Sequence, residues 1–266
     1  MDTLVNYKNV IYTNNCNNYN INDVNDIFAN YKKSVFSQLG EDGIIEYIFK
    51  VIKPNHNYYV EFGAWDGNHL SNTANLRINH NWTGLLLESN KRIVNNTKNK
   101  DLINLQCEMV TKDNINNLFE KYNVPCDFDL LSIDIDSNDY YVWKNLTNYR
   151  PKIVIVETNP GIKNDLPLTI QENNSNIHRK GNKGNYFGAN LHAFYNLALR
   201  KGYKLLTVDK WNAFFVINEE FEKFNIQEIS KDTMINKYCI VSPYWAKRNN
   251  YKYGPYEWVN LEGIDN

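Results

Sequence analysis

Tyr59-Val60-Glu61-Phe62-Gly63-Ala64-Trp65-Asp66-Gly67 runs from an apolar strand into an acidic residue and a glycine-bracketed turn. Small residues at such a turn let backbone N–H groups and the following helix approach a nucleotide-sized ligand. The spacing Glu-x-Gly-x-x-x-Gly lacks the G-x-G-x-x-G needed for a pyrophosphate. Two carboxylates, Glu61 and Asp66, would repel phosphates but suit a ligand carrying a sulfonium and an ammonium. S-adenosylmethionine (SAM) has that chemistry, and Glu61, Gly63, Ala64, Asp66 and Gly67 are the residues expected around its methionine part.

Further candidates lie downstream. Glu88, closing Gly84-Leu85-Leu86-Leu87-Glu88, can accept two ribose hydroxyls from a strand end. Met109 and Val110, after the third strand, either flank an adenine or are simple core. Asn72, with His69, Ser71 and Thr73, opens a helix and either caps it or reaches the cofactor's carboxylate. The stretches Ile133-Asp134-Ile135-Asp136 and Val156-Glu157-Thr158-Asn159 end two apolar strands. Oxygen ligands there suit a hard cation such as Mg²⁺, with Asp134, Glu157 and Asn159 best placed to hold it and to lower a substrate hydroxyl's pKa. Without a metal, Asp134 or Asp136 serves as general base, or Asp134 hydrogen-bonds the cofactor. His178 and His192 are two more candidate bases. His178-Arg179-Lys180 with Lys183 forms a basic loop suited to a phosphate or an acidic sugar, unless it is simply solvated.

These residues need a scaffold that brings strand ends together. From residue 58 onward, apolar runs alternate with helical periods, which implies crossover units and a parallel sheet. Strands are expected at 58–62, 84–88, 102–108, 128–134 and 153–157, with helices at 70–80, 91–98, 115–122 and 140–148. Residues 158–187 read as a long substrate loop. A helix starting near Leu191 and a hairpin, 203–208 with 213–217, complete the series. An amphipathic helix containing Ile44, Ile45, Ile48, Phe49 and Ile52 precedes the core.

At 266 residues the chain can bury a sizeable core. Its net charge of −1 argues against nucleic acid as a partner. Four scattered cysteines argue against a zinc site or disulfide framework. No apolar run suits a membrane span, so a soluble, cytoplasmic protein is the expectation. Asparagine, about one residue in six, reads as polar filler. The division expected is an N-terminal extension over 1–35, a core domain over 36–218 and an aromatic tail over 219–266, which packs on the domain, lines a sugar site or meets a second subunit in a homo-oligomer.

Ser37-Gln38-Leu39-Gly40-Glu41-Asp42-Gly43, the Val60 to Gly67 stretch, Leu85-Leu86-Leu87-Glu88 and Ser132-Ile133-Asp134-Ile135-Asp136 together resemble FkbM-type SAM-dependent methyltransferases over roughly residues 34–217. Where that family carries Asp-Val-Glu-Gly, this chain has Asp134-Ile135-Asp136-Ser137. The pair Asp134 and Glu157 also looks like the metal positions of macrocin-type and catechol-type O-methyltransferases. The resemblance implies an α/β, Rossmann-like class I fold, with a mostly parallel seven-stranded sheet and helices on both faces. It also implies O-methylation of a hydroxyl on a sugar or glycan precursor. The rival readings are a non-catalytic binding or assembly protein that keeps the fold, and an RNA ribose methyltransferase, which the neutral charge disfavours.

Overall fold

The computed structural model describes residues 4–6, 27–162, 164–172, 186–238 and 257–263. Its strands are β1 (Leu4–Asn6), β2 (Tyr58–Phe62), β3 (Thr83–Glu88), β4 (Leu105–Cys107), β5 (Leu130–Ile133), β6 (Ile153–Glu157), β7 (Leu168–Ile170), β8 (Tyr203–Asp209), β9 (Asn212–Ile217) and β10 (Glu257–Asn260). The helices are α1 (Glu41–Ile52), α2 (Ala74–His80), α3 (Lys91–Asn96), α4 (Ile115–Lys121), α5 (Asp139–Asn145), α6 (Leu191–Arg200), α7 (Asn218–Phe221) and α8 (Lys231–Lys237).

Seven strands form one sheet in the order β4-β3-β2-β5-β6-β9-β8. Pairing is parallel from β4 through β6, and β9 enters antiparallel beside β6 before β8 closes the hairpin. This is the Rossmann-like class I arrangement expected from the alternation of apolar runs. Chain order reverses between β2 and β5, so a crevice opens at their carboxyl ends. Successive strand residues alternate between two buried layers. Val60, Leu131, Val154 and Phe215 join one layer with Phe119, Trp143 and Phe194 of α4, α5 and α6. Tyr59, Leu130, Ile155 and Phe214 join the other with Ile44, Ile48, Leu76 and Val94 of α1, α2 and α3. Helices therefore cover both faces, which explains the nearly unbroken apolar runs of β5 and β6.

Several boundaries are tighter than periodicity predicts. The helix expected from residue 70 begins only at Ala74, because Ser71, Asn72 and Thr73 are drawn to the Glu61 carboxylate. The strand expected over 102–108 shrinks to Leu105–Cys107, since the chain turns through a left-handed Asn104 just before it. Asparagine proves more than filler. Asn57, Asn81, Asn104, Asn123 and Asn225 all hold positive φ, a region this side chain tolerates better than most. Asn90 and Asn190 cap α3 and α6 through their side-chain oxygens.

The stretch 158–187 is not uniformly loop. It contains β7, which pairs with β10, and β10 pairs in turn with β1 in a small antiparallel sheet. Trp258 packs there with Ile162, Leu168 and Ile170. The N- and C-terminal segments, expected as two extensions, thus each contribute a strand to one sheet built on the middle of the chain. No helix among the described residues is long and apolar enough to cross a membrane. Trp143, fully buried between α6 and β9, contacts Phe194, Tyr203 and Phe215. Trp143→Ala is expected to lower unfolding stability by about 3–5 kcal/mol, read as a fall in the urea midpoint at an unchanged slope.

Candidate active site

The crevice at the switch point is a groove of about 440 Å³. The ends of β2, β3 and β5 and the segments after them supply its walls, from Glu61 through Asn72, Leu87 to Ser89, Glu108 with Val110, and Asp134 to Asp136. Gly63 is where the two central strand ends meet. It has φ +67°, and a Cβ there would lie 1.7 Å from the Asp134 carbonyl oxygen, so no other residue fits.

Glu61 holds the loop in shape. Its buried carboxylate accepts hydrogen bonds from Ser71 Oγ at 2.7 Å, the Asn72 backbone N–H at 2.9 Å and Thr73 Oγ1 at 2.5 Å. Burial raises its pKa, and these three donors oppose the shift. Asn72 also donates from its side chain to Ser132 Oγ at 3.1 Å, tying the loop to β5. Ser71 and Thr73 thus serve the Glu61 carboxylate, and Glu61 braces the loop from below.

Glu88 is buried at the end of β3 and accepts backbone N–H bonds from Trp65 at 3.1 Å and Asn90 at 2.7 Å. A carboxylate has about four acceptor sites, so both oxygens keep capacity toward the groove. Trp65, Leu70 and Asp136 all line the groove with positive φ, at 49°, 55° and 57°. Strained backbone of this kind gathers where surrounding structure over-determines it, commonly at sites that bind or react.

Three carboxylates meet at the carboxyl ends of β5 and β6, and two of them, Asp134 and Asp136, line the groove. Oxygens of Asp134, Asp136 and Glu157 lie within 4.8 Å of one another. Desolvation, and then repulsion from Asp136 and Asp139, raise the Asp134 pKa, while a hydrogen bond with Glu157 lowers it. Asp134 is open to solvent in the groove, so the charge repulsion outweighs desolvation in holding it up. Behind the turn, buried Asp139 accepts the N–H groups of Ile135 and Ser137, each at 2.8 Å. Burial pushes its pKa to about 6.

Several expected site residues lie elsewhere. Asp66 accepts the N–H groups of Asn68 and His69 within its own turn and lines a second depression beyond the loop. Gly67 is a packing glycine whose added Cβ would meet Ile103 and Leu86 side chains at 2.8 Å. Met109 faces solvent, and its neighbours Glu108 and Val110 line the groove instead. Asn159 is buried, with its amide donating to the Phe187 carbonyl and its oxygen accepting the Gly161 N–H, and Asp136 is the acid that converges with Asp134 and Glu157. His192 is sealed inside α6 and absent from the groove walls. Burial, and then Lys231, hold its pKa down. His178, Arg179, Lys180 and Lys183 lie outside the described residues.

Sequence reasoning left Glu41, Asp42 and Asp209 without roles. Asp42 Oδ2 accepts the N–H groups of Val35, Phe36 and Ser37, clamping the segment before α1. Glu41 Oε1 accepts the Asn212 amide at 2.9 Å, and Asn212 pairs in register with Glu157. This ties the segment to the edge that carries the acidic cluster. The adjacent acids Glu41 and Asp42, bracketed by Gly40 and Gly43, were the available signal.

Two outcomes follow from this geometry. Glu61→Ala is expected to cost about 1–3 kcal/mol of stability for each buried donor left unsatisfied, read by urea denaturation. Asp139 has a folded pKa above its unfolded value, so the folded chain binds that proton more tightly. Its contribution to stability is full below 3.8 and is lost as pH rises through about 6. Relative to Asp139→Asn, the wild type is therefore expected to lose up to roughly 3 kcal/mol between those limits, measured as the pH dependence of the difference in unfolding free energy.

No family model matches the chain, and no curated protein does. Solved structures similar to it include a SAM-dependent methyltransferase from Clostridium acetobutylicum, at 14% identity and TM-score 0.39, covering 66% of this chain and 90% of that one. An O-methyltransferase family protein from Burkholderia thailandensis shares 9% identity at TM-score 0.37, over 66% of this chain and 57% of that one. A SAM-dependent methyltransferase from Aquifex aeolicus shares 9% identity at TM-score 0.34, over 64% and 86%. The class I arrangement rests on this chain's own strand order and register.

Proposed function

We propose that the protein is a SAM-dependent O-methyltransferase acting on a hydroxyl of a sugar or glycan precursor. One observation carries the cofactor reading: five acids, Glu61, Glu88, Glu108, Asp134 and Asp136, line the groove, with no lysine or arginine among its described walls. Such a surface repels a pyrophosphate and attracts a ligand that bears a sulfonium and an ammonium. The sugar acceptor rests on the family resemblance.

SAM supplies an electrophilic methyl group. Glu88 is placed to accept the ribose hydroxyls, and Val110 and Leu87 offer apolar contact to the base. The backbone of Gly63 and Ala64 faces the amino-acid end. Asp134, accessible and raised in pKa, is the best-placed group to take the acceptor's proton near neutral pH. Holding that hydroxyl in line with the reacting carbon supplies much of the rate.

The cluster of Asp134, Asp136 and Glu157 also suits a divalent cation. Its donors are hard oxygens close enough to converge, and Mg²⁺ would relieve the repulsion that disfavours the ionised Asp134. In that role the ion would lower the pKa of a bound hydroxyl.

Calorimetry with S-adenosylhomocysteine tests the cofactor: binding is expected, and its absence would sink the proposal. Glu88→Ala is expected to weaken that binding by about tenfold or more, as loss of a hydrogen bond to a charged group does. Asp66→Ala, outside the groove, is expected to leave it within about twofold. Asp134→Asn is expected to lower kcat by about a hundredfold or more while binding persists. If the cluster holds Mg²⁺, EDTA abolishes transfer, added Mg²⁺ restores it, and Glu157→Gln weakens that response.

A further inference from the structure

The second depression, reached across Trp65, is larger than the groove, about 640 Å³. It lies between α2, the end of α3 and the segment leading to β4, and none of Glu88, Asp134 and Asp136 lines it. Its chemistry is different. Where the groove is acidic, this surface carries Arg77 and Lys98, with Asp66 its single acid. The flanking stretch 91–100 contains Lys91, Arg92, Lys98 and Lys100 and no acid, a concentration of positive charge in a chain whose net charge is −1.

Its polar walls are neutral amides and a hydroxyl, Asn68, Asn96, Asn99 and Thr97. Trp65 stands at the boundary, 51% exposed. Its backbone is held in the left-handed region by the N–H bond to Glu88, so the indole is presented to solvent at a conformational cost. A flat apolar ring matches the C–H face of a pyranose, amides match its hydroxyls, and the Lys98 ammonium matches a carboxylate or phosphate on it, Arg77 being held by the Gly67 carbonyl and Asn68 Oδ1.

We infer that this depression binds a saccharide carrying an anionic group, a uronate carboxylate or a sugar phosphate, at a site distinct from the methyl-transfer groove. The inference does not depend on the methyltransferase reading, since apart from Trp65 its walls lie outside the groove and its test requires no methyl donor. The acidic groove would repel the same ligand, so charge sorts the two sites.

Calorimetry and tryptophan fluorescence with trigalacturonate, glucose 6-phosphate, maltotriose and a short uridine-rich RNA test it. Binding of trigalacturonate or glucose 6-phosphate, accompanied by a change in tryptophan emission and persisting in saturating S-adenosylhomocysteine, is the expected result; which of the two binds identifies the anion. Lys98→Ala is expected to weaken binding by about fivefold and Lys98→Arg to retain it, with S-adenosylhomocysteine affinity unchanged in both. Trp65→Ala is expected to remove the emission change, and Asn99→Ala serves as a surface variant that leaves the loop intact and weakens binding. Equal affinity for maltotriose, binding of RNA alone, loss of all binding when S-adenosylhomocysteine is present, or no binding of either anionic sugar would each overturn the inference.

Discussion

A buried carboxylate ties the central strand to the helix that follows it. Glu61 on β2 gathers Ser71, Asn72 and Thr73, and the segment 63–70 is consequently stretched over the carboxyl edge of the sheet. That brace and the Trp65 N–H bond to Glu88 flank a loop in which Trp65 and Leu70 hold left-handed backbone conformations that bulky side chains avoid. The groove, the exposed indole and the depression beyond it all depend on the course of this loop. Gly63 supplies the complementary condition, because only the absence of a Cβ lets β2 approach the Asp134 carbonyl.

The same edge concentrates negative charge. Asp134, Asp136 and Glu157 face one another, Asp139 lies buried behind their turn, and Glu41 and Asp209 form a further buried acidic pair beside Asn212. Burial, and then Glu41, hold Asp209 well above the ordinary carboxylate range. Such crowding costs stability. Across Trp65 the sign changes, and Arg77 and Lys98 replace the carboxylates. Two neighbouring surfaces of opposite character share one aromatic wall.

Much of the architecture was legible in the sequence. The apolar runs of β2, β3, β5 and β6 are strong because both faces of a central parallel strand are buried, so the signal survives without any partner. Glu88 and Asp134 were legible for a related reason: a residue ending such a strand must emerge at the carboxyl edge. The surroundings of Asp66, Met109 and Asn159 were not, because each sits two to four positions past the last residue of a strand. There the direction of a side chain is set by turn geometry, and adjacent positions point to opposite sides. His192 fits a helical period but falls on its buried side. The small sheet of β1, β7 and β10 left only weak traces, since strands of three or four residues drawn from both ends and the middle of the chain carry too few residues to show a period.

The sequence by itself determined the order of strands and helices, the acids at the strand ends and the glycine at the switch point, because these follow from local periodicity and backbone sterics. Tertiary structure decided which acids converge, bringing Asp136 beside Asp134 and Glu157, and which are spent on backbone, as with Asp66 and Asp42. It also decided that Trp65 stands between two surfaces of opposite charge. Convergence and electrostatics depend on distances between segments remote in sequence, and packing alone sets those distances.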